Sequence, residues 1–221
     1  MGYNEIGIQS LQQGKYEKAI EAFVKAAEQE PDNPVGYINL GNVFTAVGDV
    51  ERAERFFQKA LTLDEEAVTA YYGLANLYYN NGRFEEAAKL YEKAVRSGME
   101  QADAYFMLGK SLEQGGNEKL ALPYLQRALE LAPDDLEIQL SYGILLAKLE
   151  LFKDAEKVLR ELVEKDPEHP DAHYNLGMVY AVSTDQKEDA LYHLERAFRI
   201  EPDHVQSKYI YDMIKQGEAD K

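Results

Sequence analysis

Residues 34–67, PVGYINLGNVFTAVGDVERAERFFQKALTLDEEA, contain two apolar stripes separated by a short polar turn. Within each stripe, apolar residues recur every three or four positions, which places them on one face of an α-helix. Gly48 lies in the turn between the stripes, where a left-handed residue commonly ends a helix. The segment therefore predicts a helix, a turn and a second helix, with Gly41 of the first helix facing Ala53 of the second.

The same pattern recurs every 34 residues along most of the chain. Tyrosine, alanine and large apolar positions all repeat at this step, as in Tyr3, Tyr37, Tyr71 and Tyr105, in Ala19, Ala53, Ala87, Ala121 and Ala155, and in Phe23, Phe57, Tyr91, Leu125 and Leu159. Agreement between several independent positions indicates a repeat protein. We predict six tandem repeats, at 1–33, 34–67, 68–101, 102–135, 136–169 and 170–203. Residues 204–215 are expected to form a capping helix, followed by a frayed tail at 216–221.

The period and the order of aromatic, Leu-Gly, aromatic, Ala, aromatic, Ala and Pro positions resemble the tetratricopeptide-repeat (TPR) family over residues 1–203. The chain as a whole is similar to small stand-alone bacterial TPR proteins. This resemblance implies an all-α fold, a right-handed α–α superhelix (TPR solenoid) of six helix–turn–helix repeats and a C-terminal capping helix. It also implies that the first helices line a concave groove and that the second helices lie outside.

Composition narrows the kind of partner. The chain has 24 Lys and Arg against 40 Asp and Glu, a net charge of −16. This acidity disfavours nucleic acids and anionic membranes, which attract clustered basic residues. The chain starts MGYNE without a basic and apolar leader, and no apolar run is long enough to span a bilayer. We therefore expect a cytoplasmic protein.

No residue pattern indicates catalysis, a cofactor or a metal. The chain has no cysteine and no glycine-rich phosphate loop. His169 and His173 are four residues apart, but Pro170 places His169 before the helix, and His173 occupies a position that is tyrosine in four other repeats. We expect His173 to be a packing residue and the protein to be neither an enzyme nor a metal protein.

The binding surface is predicted on the first helices, because the resemblance puts them in the groove. Counted from the aromatic position, offsets −2, +1, +5 and +8 lie on the face turned away from neighbouring helices. A large apolar residue recurs at +1 on this face, which favours a binding site over passive surface. In the opposing interpretation, these Asn and Tyr residues are ordinary for a TPR and pack on the adjacent helix. The candidate residues are Ile38, Asn39, Asn42, Tyr72, Asn76, Tyr79, Asn80, Phe106, Lys110, Leu140, Tyr174, Asn175, Met178 and Tyr209.

These residues predict a non-catalytic scaffold or adaptor that binds an extended or helical segment of a protein. Acids on the free face outnumber Lys110, so a neutral to basic or apolar segment fits best. Some TPR domains hold acidic chaperone tails with a Lys, Arg and Asn clamp. That clamp is absent here, since the matching positions are Asn4, Ile8, Asn39, Thr69 and Gly73. The alternative is a homo-oligomer, an assembly or regulatory subunit that acts through its ends or its cap, which carries Tyr209, Ile210 and Met213.

Pro123 departs from the repeat because it falls within the predicted second helix of the fourth repeat. Either the preceding residues 115–117 delay the start of that helix, or the proline lies inside it and kinks it.

Overall fold

The computed structural model describes residues 2–183 and 186–219, and all regular secondary structure in these ranges is α-helical. The helices are α1 (Tyr3–Gln12), α2 (Tyr16–Gln29), α3 (Pro34–Ala46), α4 (Val50–Leu63), α5 (Val68–Asn80), α6 (Phe84–Arg96), α7 (Ala102–Gln114), α8 (Glu118–Leu131), α9 (Leu136–Lys148), α10 (Phe152–Lys165), α11 (Pro170–Ser183), α12 (Lys187–Ile200) and α13 (Val205–Ala219). Consecutive helices from α1 to α7, and from α8 to α13, pack against each other, as is typical of a TPR solenoid. The predicted all-α, TPR-type fold class is confirmed.

The chain divides into two compact units, Met1–Asn117 and Glu118–Lys221. In the first unit, α1 packs on α2, α3 on α4 and α5 on α6, and α7 closes the series against α6. In the second unit, α8 packs on α9, α9 on α10, α11 on α12 and α12 on α13. The boundary lies in the turn between α7 and α8, inside the fourth repeat, where the sequence predicts no division.

The last helix is longer than predicted. α13 runs from Val205 to Ala219, so the helix continues four residues past the expected end at position 215. Residues 216–219 of the predicted tail are helical in the structure. Residues 220–221 of that tail lie outside the described part of the chain.

The turn within each of the first five repeats contains a left-handed residue. Gly48 has φ of +77°, and glycines 34 residues before and after it also have positive φ. Glu150 occupies the equivalent position of the fifth repeat with φ of +60°. An L-residue with a side chain costs about 1–2 kcal/mol in this conformation, so the fifth repeat keeps the turn without the residue that favours it.

Phe57, a fully buried side chain of α4, lies beside α3 and α5. A Cβ atom added at Gly41 on α3 would lie 2.7 Å from the Phe57 ring, and one added at Gly73 on α5 would lie 2.5 Å away. The ring therefore fills the space left by two glycines on consecutive first helices. The three atoms nearest to a Cβ added at Gly41 all belong to Phe57, one turn after Ala53 on α4.

Pro123 lies inside α8, which begins at Glu118 in the same register as the other second helices. The interpretation that this helix starts late is therefore wrong. Proline has no N–H to donate to the carbonyl of Lys119 four residues earlier. Both residues are exposed, so water can hydrate the carbonyl that loses its partner.

Replacing Pro123 with alanine is expected to raise the free energy of unfolding by about 2 kcal/mol. A proline within a helix costs about 3 kcal/mol, and its stiffening of the unfolded chain offsets about 1 kcal/mol of that. Urea denaturation followed by circular dichroism would measure the difference. The control is Pro133→Ala, because Pro133 lies in the loop after α8, where proline breaks no helix. An equal gain from both variants would contradict the explanation.

Candidate functional site

The candidate residues of the first unit lie on α3, α5 and α7, and their exposure differs from the prediction. Asn42 and Asn80 are exposed, and Asn39, Tyr79 and Lys110 are partly buried. Ile38 is only 9% exposed and Phe106 only 8%. The expectation that these two side chains stand on an exposed surface is wrong, and they belong to the core behind it.

A hydrogen-bonded network joins α5, α6 and α7, the last three helices of the first unit. The Tyr72 hydroxyl donates to the Asp103 carboxylate, and the Tyr91 hydroxyl donates to Oδ1 of Asn76. The rings of Tyr72 and Tyr91 meet edge to face, with centroids 5.5 Å apart. Tyr72 and Asn76 were predicted from the sequence, but Tyr91 was not. Tyr91 lies on a second helix and joins the network only because α6 packs against α5.

Burial disfavours ionisation of both phenols of this network. It raises the pKa of Tyr72 above its ordinary value, with a further rise from the nearby Asp103 carboxylate. Burial also raises the pKa of Tyr91, and Tyr72 and Asp103 add to that shift. The two hydroxyls therefore remain hydrogen-bond donors at neutral pH, and they hold the Asn76 amide and the Tyr72 ring in fixed orientations.

Other polar contacts flank the network. Asn39 donates from Nδ2 to Oδ1 of Asn4 at 3.0 Å, which links α3 to α1. Lys110 Nζ lies 3.3 Å from Oε2 of Glu113, a buried carboxylate one turn further along α7. The Tyr79 ring meets Phe84 edge to face, with centroids 5.3 Å apart. The surface of the first unit thus carries amides, an amine and aromatic rings that neighbouring residues hold in place.

The candidate residues of the second unit are more apolar. Leu140, Tyr174 and Met178 are partly buried, and Tyr209 on α13 is 62% exposed. Asn175 donates from Nδ2 to the carbonyl of Asp171 within its own helix, at 2.8 Å. The Tyr174 ring lies against that of His204, with centroids 4.9 Å apart.

His173 is a buried packing residue, and its two hydrogen bonds define its tautomer. Nε2 lies 3.0 Å from the carbonyl oxygen of Pro167, and Nδ1 lies 2.8 Å from Nδ1 of His193. A carbonyl can only accept, so Nε2 carries the proton, and in the neutral ring Nδ1 accepts from His193. The equivalent tyrosine of the third repeat, Tyr71, also donates to a carbonyl six residues before it. His173 therefore replaces tyrosine without losing this bond.

Burial opposes charge on the two histidines. It lowers the pKa of His173 and lowers that of His193 to about 4, where the neighbouring His173 acts in the same direction. Charged side chains from the surrounding loop and helices act on the pair, namely Arg160, Glu168, Asp189 and Arg196. Both rings are neutral at physiological pH.

Two further observations concern residues 2–183 and 186–219. No three His, Cys, Asp or Glu side chains in these ranges are grouped as metal ligands would be. None of the helices described there is long and apolar enough to cross a membrane.

Comparison with known proteins was made at the level of families and of solved structures. The family profile described as the C-terminal domain of cilia and flagella-associated protein 70 matches residues 3–201. YrrB, described as a TPR protein with an unusual peptide-binding site, is 42% identical; the match covers 88% of this chain and 100% of YrrB, with a TM-score of 0.83. A comparison with curated proteins gave no match.

Two more distant structures share the fold. PilF of Pseudomonas aeruginosa is 20% identical, and the match covers 99% of this chain and 96% of PilF with a TM-score of 0.77. MamA is 21% identical, and the match covers 78% of this chain and 94% of MamA with a TM-score of 0.72. At these identities the likeness concerns the fold alone.

Proposed function

Because the chain belongs to the tetratricopeptide-repeat family, in which folds of this kind commonly mediate protein–protein interaction, we propose that it is a non-catalytic adaptor. It binds a segment of a partner protein on the surface formed by the first helices. The structural neighbours of the chain are likewise repeat scaffolds, and YrrB is described as having a peptide-binding site.

The observation that carries this proposal is the network of Tyr72, Asn76, Tyr91 and Asp103. Hydrogen bonds hold an aromatic ring and an amide in fixed orientations on the first-helix surface. An amide can donate to and accept from a peptide backbone, while the ring offers apolar area. Groups held in place before binding lose little conformational entropy when a ligand arrives, which favours affinity.

Charge supports a neutral to basic or apolar partner segment. The net charge is −16, and Asp103 is an exposed acid beside Tyr72. An acidic surface attracts basic segments and raises their association rate, and it repels acidic ones.

Peptide selection would test the proposal. A phage-displayed library of random dodecapeptides is panned on the full chain, and the affinities of selected peptides are then measured by fluorescence anisotropy. The double variant Asn42→Ala/Tyr72→Phe removes an exposed amide and a hydroxyl but no buried ring. We expect it to weaken binding by about tenfold or more, the effect typical of residues that dominate an interface.

The matched control is Tyr16→Ala, which removes an exposed aromatic ring from the second helix α2. Circular dichroism confirms that each variant is folded. The proposal fails if no peptide is selected, or if the selected peptides bind the double variant as well as the wild type.

A further inference from the structure

From α3 onward, two positions four residues apart on each first helix form a pair, and only the second member of the pair differs in chemistry between the two units. At offset +1 from the aromatic position both units carry a large apolar residue, but at offset +5 the chemistry changes. On α3, α5 and α7 of the first unit, the pairs are Ile38 and Asn42, Tyr72 and Asn76, and Phe106 and Lys110, whereas α1 carries Asn4 and Ile8 at these offsets. Those of the second unit are Leu140 and Ile144, Tyr174 and Met178, and Tyr209 and Met213.

We call the six residues Leu140, Ile144, Tyr174, Met178, Tyr209 and Met213 the apolar patch. Its members lie on α9, α11 and α13, and residues four apart share one face of a helix. Tyr209 is 62% and Met213 52% exposed, and the other four are partly buried. Exposed apolar residues gathered in this way usually mark an interaction site.

Exposed residues of α13 include the apolar pair Tyr209 and Met213. The helix has a second exposed stripe, formed by Lys208, Asp212 and Lys215, and that stripe is charged. Tyr209 and Met213 lie on the side that matches the binding face of the preceding first helices. The apolar side of α13 therefore continues a surface that α9 and α11 already carry.

Acids border the patch. Glu137 precedes Leu140 by three residues on α9, and Asp171 precedes Tyr174 by three on α11, so each acid lies on the same helix face as its patch residue. Both carboxylates are exposed, and Oδ1 of Asp171 lies 3.5 Å from Nε2 of His204. A ligand on the patch would meet negative charge at the N-terminal ends of these helices.

We propose that the second unit binds an amphipathic helix of a partner protein, with its apolar face on the patch and Lys or Arg side chains directed toward Glu137 and Asp171. This inference rests on the proposed function and adds the ligand class of one unit. Methionine side chains are flexible and polarisable, and they adapt to the apolar face of a helix. The amides and Lys110 of the first unit suit a more polar segment, so the adaptor has two chemically distinct surfaces.

Methyl NMR on the full chain would test this directly. The probe is a synthetic 18-residue peptide of leucine and lysine that forms an amphipathic helix, added to protein labelled at its methionine methyl groups. We expect the signals of Met178 and Met213 to shift while that of Met99, in the first unit, stays unchanged. A peptide of identical composition, scrambled to remove the apolar face, controls for attraction by charge alone. It should bind at least tenfold more weakly.

Variants identify the residues responsible. Met178→Asn/Met213→Asn gives the second unit the chemistry found at Asn42 and Asn76, and we expect it to lose at least tenfold in affinity for the amphipathic peptide. Leu120→Asn is the matched control, because Leu120 is 60% exposed on the second helix α8 of the same unit. It should bind like the wild type.

Three results would overturn the inference: equal binding of the amphipathic and scrambled peptides, shifts confined to the first unit, or no effect of the methionine variants. If peptides selected by panning still depend on Asn42 and Tyr72, any of these results leaves the proposed function intact. A failure of the panning experiment together with shifts at Met178 and Met213 would instead remove the role proposed for the first unit.

Discussion

Replacing Phe57 with alanine is expected to lower the free energy of unfolding of the first unit by about 3–5 kcal/mol, the usual cost of deleting a buried ring. The ring is fully buried and occupies the space beside Gly41 and Gly73. Its removal leaves a cavity that no Cβ atom at either glycine fills. The variant therefore loses packing contacts within the second repeat and between the second and third repeats. Urea denaturation of the full chain, followed by circular dichroism, would measure it.

The adjacent Phe56 provides a control of the same residue type on the same helix. It is partly buried and stacks on Phe44, with ring centroids 5.4 Å apart. The partly buried Phe56 ring removes less apolar area from water than the Phe57 ring does. Phe56→Ala should therefore lower the free energy of unfolding by about half as much as Phe57→Ala, or less. If both variants lower the free energy of unfolding equally, the position of Phe57 between two glycines contributes no extra stability.

Acidification from pH 7 to pH 4 is expected to remove about 3 kcal/mol of stability through His193 alone. Burial lowers the pKa of His193 to about 4 in the folded protein, whereas a histidine in an unfolded chain titrates near 6.5. Between these values the unfolded state binds the proton and the folded state does not, so stability falls as the pH falls. The stability that depends on a neutral His193 is fully present above pH 6.5, and its loss levels off below pH 4.

The double variant His173→Tyr/His193→Leu isolates this effect because it installs the pair found at Tyr71 and Leu90 in the third repeat. Tyrosine can still donate to the Pro167 carbonyl, as Tyr71 does to that of Glu65. Chemical denaturation at a series of pH values gives the difference between variant and wild type. Parallel pH profiles for the two proteins would contradict the assignment to the histidines.

The helices could be predicted because their signals are local. Apolar spacing, a turn glycine and a repeat of fixed length all lie within one repeat, and they predict the helix pairs around Gly48 correctly. Glu150 could not be predicted to be left-handed from its residue type, because that conformation disfavours side chains. The turn is retained there because the two helices it joins pack against each other.

Contacts between helices account for most of what the sequence could not predict. The face of a helix is periodic, but whether a neighbour covers it depends on interhelical distance, and for this reason Ile38 and Phe106 are buried despite their position on the predicted face. The ring that fills the space beside Gly41 likewise belongs to another helix, since it is that of Phe57 on α4.

The candidate site was predictable in outline only. Tyr72 and Asn76 stand at groove positions in the sequence, but their partners Asp103 and Tyr91 come from other helices. The repeat register predicted that His173 would pack in place of tyrosine, and the structure confirms that it is buried. Its bond to His193 was not predictable, since no other repeat has a histidine at either position.

The exposed side chains of Tyr209 and Met213 also affect how the protein behaves in concentrated solution. Copies with a net charge of −16 repel each other in dilute buffer, which keeps these apolar side chains apart. In about 1 M salt the screening length falls to about 3 Å, and this repulsion is lost at contact distance. Salting-out conditions therefore favour contacts between copies at α13. In a crystal grown under such conditions, a contact at α13 would reflect this nonspecific association and would not identify the biological partner.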